Sequence, residues 1–561
     1  MEAKNLEEAQ AQSESSTPKS GRRMLSRRAT FTILCIAQFV MVLDTTVMNV
    51  SISQVVSDLH TTVTAVQAAI TLYALVMAAF MLSGAKLGDL WGRRRAFTIG
   101  IAIYGVGSLT TALSGSITML LIGWSLIEGL GAVLVIPAIA ALVATNFQGK
   151  ERAVAFATLG GISGAAVAAG PLIGGFVTTV LTWRVVFAAE TATVLAMLPF
   201  CRGINDAPPL RGVKFDKLGA VLSALGLGLI VLGVLQSSKW GFFTPRGALE
   251  IGGQKITPFG FSVVPFLIAA GGVSLDLFAR HQRHLKETGG TPLLDPDLLG
   301  IPRLRAGAVM TVAQQLIIAG TFFVIPLYLQ LVLGKDALQT GIAILPVSIT
   351  MIVGALSGAP LARKLSPRRV VQMGLVLLFA GLIGVQAAIG PSLNGAAFGI
   401  AIAAFGGGMG LVVSQLGNVM MSAVDGSRVS EVGGVQGAAQ NLGAALGTAL
   451  IGSVLLVGLL NGFQTHVQDN PELPPSVEQQ ILAATDEGID MAPPSAVGKA
   501  AREGGLSDAQ AANIQAGYAE AQLQALKTAL LWAAGFALIG LWFARRLPGE
   551  PLQSEETVKE E

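Results

Sequence analysis

Three carboxylates stand inside long apolar runs of this sequence: Asp44 in LDTTVMNVSI, Glu128 in LLIGWSLIEGLGAVLVIPA and Glu190 in WRVVFAAET. An ionised carboxylate in hydrocarbon costs several kcal/mol unless it is paired or wet, so acids at such depth point to ion or proton pathways. No Lys or Arg inside the same runs balances them, and Arg184, at the edge of the third run, is the nearest. Asp44 lies about 15 residues into its run, roughly 22 Å along a helix rising 1.5 Å per residue. An uncompensated acidic cavity holds protons or attracts a cation, and competition between the two is antiport. The plainer alternatives are a structural hydrogen bond from Asp44 to Thr45, Thr46 or Asn49, and lone protonated Glu128 or Glu190 bonded to helix backbone.

Composition says what carries these acids. Of 561 residues, 52% are apolar (AVILMFWYC) and 13% charged, about half the charged share of soluble domains, and mean hydropathy is +0.64. A spanning helix takes about 20 mostly apolar residues. Runs of that kind occur near 29–51, 67–87, 96–114, 117–145, 153–180 and 184–202, then 217–237 and 258–278, then 304–326, 339–362, 370–389, 393–421, 431–460 and 524–545. An all-α polytopic membrane protein of fourteen spans is predicted, with the lipid bilayer as its solvent. The 68 glycines suit close helix contact in lipid. Cys35 and Cys201 sit in or beside apolar segments, so no disulfide framework or metal site is expected. The formal charge of +3 comes mainly from basic loops and is not read as a nucleic-acid surface.

Those basic loops set the orientation. With both termini in the cytoplasm, 29 of the 37 Lys and Arg fall inside and eight outside, as the positive-inside rule requires. The polar stretch 1–28 has no apolar core or cleavage site and reads as a tail rather than a signal peptide. An internal repeat divides the remainder. GAKLGDLWGRRR (84–95) matches GAPLARKLSPRR (358–369) at an offset of 274, and GISGAAVAAGPLIGG (161–175) matches GVQGAAQNLGAALGT (434–448) at 273. The offset exceeds six helices by about two, which gives two pseudo-symmetric six-helix bundles with two inserted central helices. The expected divisions are a cytoplasmic tail 1–28, an N-terminal bundle 29–202, the inserted spans and cytoplasmic linker 203–303, a C-terminal bundle 304–545 and a cytoplasmic tail 546–561. An external segment at 461–523 interrupts the second bundle, and its plainest reading is an ordered cap. Parallel halves around a central cavity are a transporter architecture.

At these motifs the sequence resembles the major facilitator superfamily and, within it, the fourteen-helix drug/proton antiporter group, over roughly residues 30 to 545. GAKLGDLWGRRR is similar to its inner-loop signature, with Gly84, Gly88, Asp89, Gly92, Arg93 and Arg94 at matching positions; the resemblance implies a conformational latch. LDTTVMNVSI is similar to the group's acidic first-span motif, with Asp44 at the acidic position. GISGAAVAAGPLIGG resembles the signature associated with exporters, centred on Gly170, Pro171, Gly174 and Gly175; the bland alternative is a Gly-rich packing face. Two positions depart from the pattern. Ser125 stands where the family places an arginine and Glu128 where it places glutamine, so the usual charge pairing with the first-span acid cannot operate unchanged. Glu190 stands where asparagine is typical.

The candidate coupling residues are therefore Asp44, Glu128 and Glu190, and the candidate substrate-cavity residues are Tyr73, Trp124, Ser125, Gln314, Gln415 and Asn418. The amides equally suit helix-to-helix hydrogen bonds, and the aromatics either stack on a lipophilic cation or line the core. No GxxxxGK[ST] loop is present, so no ATP-driven step is expected. No nucleophile, base and orienter constellation marks an enzyme, and no cofactor is expected. The implied protein is a proton-driven exporter of amphipathic, cationic drugs or toxic compounds, multi-pass in the cell membrane and functional as a monomer. Alternatives are an exporter of a specific anionic or zwitterionic metabolite, antibiotic or lipid, and a non-transporting membrane sensor or scaffold.

Overall fold

In a medium without water, every backbone N–H and C=O must be paired within its own segment, so long apolar runs become helices. The computed structural model describes residues 25–206, 214–246, 249–251, 254–424, 428–471, 473–485 and 488–550 and is helical nearly throughout. The expected tails lie outside the described residues over 1–24 and 551–561. The first six long helices are α1 (Arg27–Val50), α2 (Val63–Trp91), α3 (Arg93–Ala112), α4 (Ile117–Asn146), α5 (Gly149–Val180) and α6 (Arg184–Cys201). Then come α7 (Lys217–Trp240) and α8 (Val264–Glu287). The last six are α9 (Pro302–Val332), α10 (Ala337–Lys364), α11 (Pro367–Ala388), α12 (Gly395–Met421), α13 (Val429–Gln468) and α14 (Asp508–Phe543).

Among the described residues, 12 of these helices are long and apolar enough to cross a membrane. The other two, α3 and α8, lie where spans are expected but are less apolar. α3 opens on Arg93, Arg94 and Arg95, and α8 closes on the charged stretch Arg280–Glu287. Two helices outlast the apolar runs: α13 continues to Gln468, and α14 starts at Asp508 behind a Ser507/Gln510 capping box. Between them lie short helices Pro475–Thr485 and Pro494–Glu503. This segment reaches the first bundle, where the Thr64 hydroxyl donates to Asp490.

Within each half the helices pack closely, and across the halves α2 meets α13 and α5 meets α10. Glycines of the repeated motif set comparable contacts in both copies. A Cβ at Gly170 or Gly174 would strike Thr46 or Val47 of α1, and one at Gly443 or Gly447 would strike Val312 or Leu316 of α9. Each half thus seats its fifth helix on its own first helix.

The seam between halves is uneven along its length. At the face opposite the termini, a Cβ on Gly175 would lie 2.5 Å from the Ala337 carbonyl oxygen, and one on Gly341 would strike that of Pro171. Gln330 closes the same face by donating to the Val50 carbonyl at 2.8 Å. Toward the terminal face, Cβ atoms at Gly160, Gly161 and Gly164 of α5 would meet nothing within 4 Å, whereas those at Gly434 and Gly437 of α13 would touch Leu82 and Met81 of α2. Those α5 glycines face open space, whereas α2 and α13 are in contact there.

Candidate functional site

The three acids of the first half, widely separated in sequence, converge. Asp44 of α1, Glu128 of α4 and Glu190 of α6 each place one carboxylate oxygen within 4.8 Å of the others. All three are buried, at 0%, 0% and 3% exposure. None takes part in any ion pair among the described residues; Arg184, the nearest basic residue in sequence, pairs with Asp58 at 2.7 Å and donates to the Ser114 carbonyl.

Local backbone geometry delivers these side chains. Residues Leu121–Glu128 of α4 form a π-helical stretch, a feature frequent at functional sites because it widens the helix and re-aims its side chains. Trp124 and Glu128 both lie on it and both are buried. Opposite, Gly107 lets α3 close onto it: a Cβ there would lie 2.5 Å from the Glu128 backbone nitrogen.

The donors around the acids are unequally shared. The Trp124 indole Nε1–H donates to both Asp44 oxygens, at 2.9 and 3.0 Å, and its ring stacks on Tyr73 with centroids 4.9 Å apart and planes 7° from parallel. Glu190 Oε2 accepts from the Tyr104 hydroxyl at 3.3 Å and from Ser108 Oγ at 3.2 Å. Both oxygens of Glu128, and Oε1 of Glu190, have no partner in hydrogen-bonding geometry among the described residues. A buried carboxylate without donors is costly; bound protons, or a hard cation taking these oxygens as ligands, would supply what the protein leaves out. Tyr104 and Ser108 were missed by sequence reasoning. Their signal was their spacing: polar groups four residues apart fall on one face of an otherwise apolar helix.

The other candidates sit elsewhere. Ser125 Oγ donates to the Ala69 carbonyl at 2.8 Å and so ties α4 to α2. Gln415 Nε2 donates to the Gly358 carbonyl at 3.0 Å, joining α12 to α10. Gln314 is buried on α9, and Asn418 is exposed on α12. No described hydrogen bond joins these four to the acid cluster.

In the inner-loop motif, Asp89 pairs with Arg93 at 3.3 Å. The Arg94 backbone N–H donates to Asp206 at 2.9 Å and its guanidinium to the Ile204 carbonyl at 3.2 Å. Gly92 supplies the turn, at φ +90°. These bonds tie the α2–α3 turn to itself and to the chain just past the end of α6, and Gly84 seats α2 on Val133 of α4. The approach to the second half is apolar and runs through Leu82, Met81 and Ala85 against Gly434 and Gly437. Beside it a cavity of about 260 Å³ is lined by Lys86, Asp89, Lys286, Asp295 and Glu431.

The Major Facilitator Superfamily model matches residues 34–448. A probable actinorhodin transporter of Streptomyces coelicolor is 30% identical over 461 residues, covering 79% of this chain and 75% of that protein. The tetracenomycin C resistance and export protein of Streptomyces glaucescens is 29% identical, covering 78% of each. The drug efflux pump JefA of Mycobacterium tuberculosis is 27% identical, covering 82% of this chain and 85% of the pump. Among solved structures, a bacterial homologue of the human lysosomal transporter Spinster, inward-facing and unoccupied, superposes with a TM-score of 0.58 at 15% identity. It covers 93% of this chain and 97% of that one.

Proposed function

Because this chain belongs to the Major Facilitator Superfamily, we propose that it is a proton-coupled efflux transporter, of the fourteen-helix drug/proton antiporter group, exporting amphipathic cationic compounds. It is a multi-pass protein of the bacterial cell membrane, and its relatives are transporters rather than enzymes. The observation that carries the coupling is the buried cluster of Asp44, Glu128 and Glu190, in which, among the described residues, three oxygens lack a hydrogen-bond partner and no acid has a basic partner. Protons neutralise it in one half-cycle, and a cationic substrate competes for the same negative charge in the other. The stacked Tyr73–Trp124 pair beside Asp44 supports an aromatic or lipophilic cation as that competitor.

Alternating access supplies the movement. In our reading all fourteen helices span and both termini are cytoplasmic, so a seam closed opposite the termini, with Gly160, Gly161 and Gly164 of α5 facing open space nearer them, supports a cytoplasm-facing state. The glycine and proline motif at Gly170, Pro171, Gly174 and Gly175 lies between α1 and α10 and forms the contact that must break when the cavity turns outward. A proton crossing the membrane yields roughly 2.3 kcal/mol per 100 mV, so strongly concentrative export of a monovalent cation draws on more than one acid.

Export of one particular antibiotic is the second reading, favoured by the relatives named for actinorhodin and tetracenomycin C. Efflux of a fluorescent lipophilic cation from cells carrying the intact protein or Asp44→Asn, with and without a protonophore, separates them. Export that stops with the protonophore and fails in the variant supports the first. Intact protein in the membrane that exports no such cation refutes it and directs the search to a dedicated product.

A further inference from the structure

Between α7 and α8 the chain makes a short antiparallel hairpin, β1 (Leu249–Ile251) with β2 (Gln254–Ile256), followed by a turn through Phe259 and Gly260. Nothing in the transport cycle uses it. Its position is nevertheless constrained. It starts at Trp240, where a helix long and apolar enough to cross a membrane ends, and returns at Val264, so it caps the ends of α7 and α8 opposite the termini.

The base of this segment is held firmly. Ser262 Oγ donates to the Gly241 carbonyl at 2.7 Å, and its backbone N–H donates to Phe243 at 2.9 Å. Arg246 reaches Asn461 of α13 at 3.0 Å. Leu249 and Ile256, paired across the strands, face Trp240 and Pro245. On this fixed platform four phenylalanines are left outside: Phe242 at 44%, Phe243 at 62%, Phe259 at 91% and Phe261 at 53% exposure. Phe259 is also one of two non-glycine residues with positive φ among the described residues, at +53°. A backbone conformation that disfavours large side chains thus presents a ring whose nearest aromatic neighbour is Phe266, with centroids 6.3 Å apart, and which is otherwise turned away from the protein. The charge beside these rings is biased as well: Lys239, Arg246 and Lys255 against Glu250.

We propose that this hairpin is a lipid-binding wedge: the four phenylalanines enter the headgroup and acyl boundary of the leaflet opposite the termini, and Lys239 and Lys255 bind the phosphates of anionic phospholipids there. Aromatic rings at the boundary with basic groups above them are the arrangement by which amphipathic elements lie in a membrane interface. The wedge anchors the outer ends of α7 and α8, of which α8 packs almost solely on α7. The inserted pair is thereby held to the bilayer while the two halves move. This inference is independent of what is exported and of proton coupling.

The test uses the full-length protein with Cys35 and Cys201 replaced by Ser, a Phe259→Cys substitution carrying an environment-sensitive fluorophore, and nanodiscs of phosphatidylcholine with or without phosphatidylglycerol. Phe243→Cys serves as a second reporter should the first disturb the turn. The expected result is loss of fluorescence with nitroxides on lipid acyl chains, and protection from an aqueous quencher. Lys239→Gln and Lys255→Gln should each weaken enrichment of phosphatidylglycerol around the protein by about fivefold at low salt. Ready quenching from water at both positions overturns the proposal. Protection that appears only when two copies share a disc overturns it too, and assigns the patch to contact between copies.

Discussion

The Trp124 indole nitrogen donates to both carboxylate oxygens of Asp44, at 2.9 and 3.0 Å, and both side chains are buried. Trp124→Phe keeps a ring to stack on Tyr73 and removes only the donor. A hydrogen bond to a charged group contributes about 1.5–3 kcal/mol, so protonophore-sensitive efflux is expected to fall on the order of tenfold or more. Elution as a folded, monodisperse protein and an unchanged expression level accompany the loss. An unaltered rate would detach Trp124 from the coupling site.

Among the described residues, Glu128 is the acid of the cluster with neither oxygen in hydrogen-bonding geometry with a partner. Glu128→Gln removes an ionisable group without changing its size, and because no donor is orphaned the melting temperature should hold or rise. The steady-state substrate gradient in energised vesicles should become about fiftyfold shallower at 100 mV for each proton no longer moved. A gradient equal to that of the intact protein would place the transported protons elsewhere.

Gly341 abuts Pro171 across the seam. Gly341→Leu forces a side chain into a space that admits none, and overpacking of this kind costs about 1–3 kcal/mol, roughly 5- to 150-fold in the population of the state seen here. Spin labels at Leu181 and Lys335, on the two sides of that face, should report a longer mean distance. Distances identical with and without the substitution would remove this contact from the gate.

Asp295 joins Lys286 of α8, at 2.6 Å, to Arg428 near the start of α13. Burial opposes its ionisation, but the Lys286 hydrogen bond, the Asp297 N–H and the Arg428 charge outweigh that and hold its pKa below the usual aspartate value of 3.8. Its stabilising contribution is therefore fully present above about pH 4 and lost only as pH falls through the lower folded value. Melting curves of intact protein and Asp295→Asn should differ by a constant amount, worth about 1 kcal/mol, from neutral pH down to about pH 5, and converge in stronger acid. A difference that vanishes between pH 7 and 5 would contradict the assignment.

Much of the architecture was legible because lipid simplifies folding. Apolar length places each helix, and the glycine repeat at offsets of 273 and 274 survives as two equivalent helix contacts, α5 on α1 and α13 on α9. Helix ends were less legible. Polar sequence past Leu460 and before Gln524 still winds as helix, because packing between α13 and α14 continues outside the apolar zone. The partners of the inner-loop arginines were not legible: Arg93 pairs with Asp89, while Arg94 bonds to Ile204 and Asp206, because the chain leaving α6 returns beside them.

By itself the sequence determined that the chain is a bundle of long apolar helices carrying a repeated glycine motif and that Asp44, Glu128 and Glu190 stand within apolar helices, because hydropathy, repeat spacing and charge depend only on the order of residues. Only the tertiary structure decided that these acids share one site. Three helices had to be turned so that their polar faces coincide, with Gly107 admitting α3 against a widened α4 and Trp124, Tyr104 and Ser108 distributing their hydrogen bonds unequally. Helix rotation is set by contacts between residues remote in sequence, and no single run of the chain contains it.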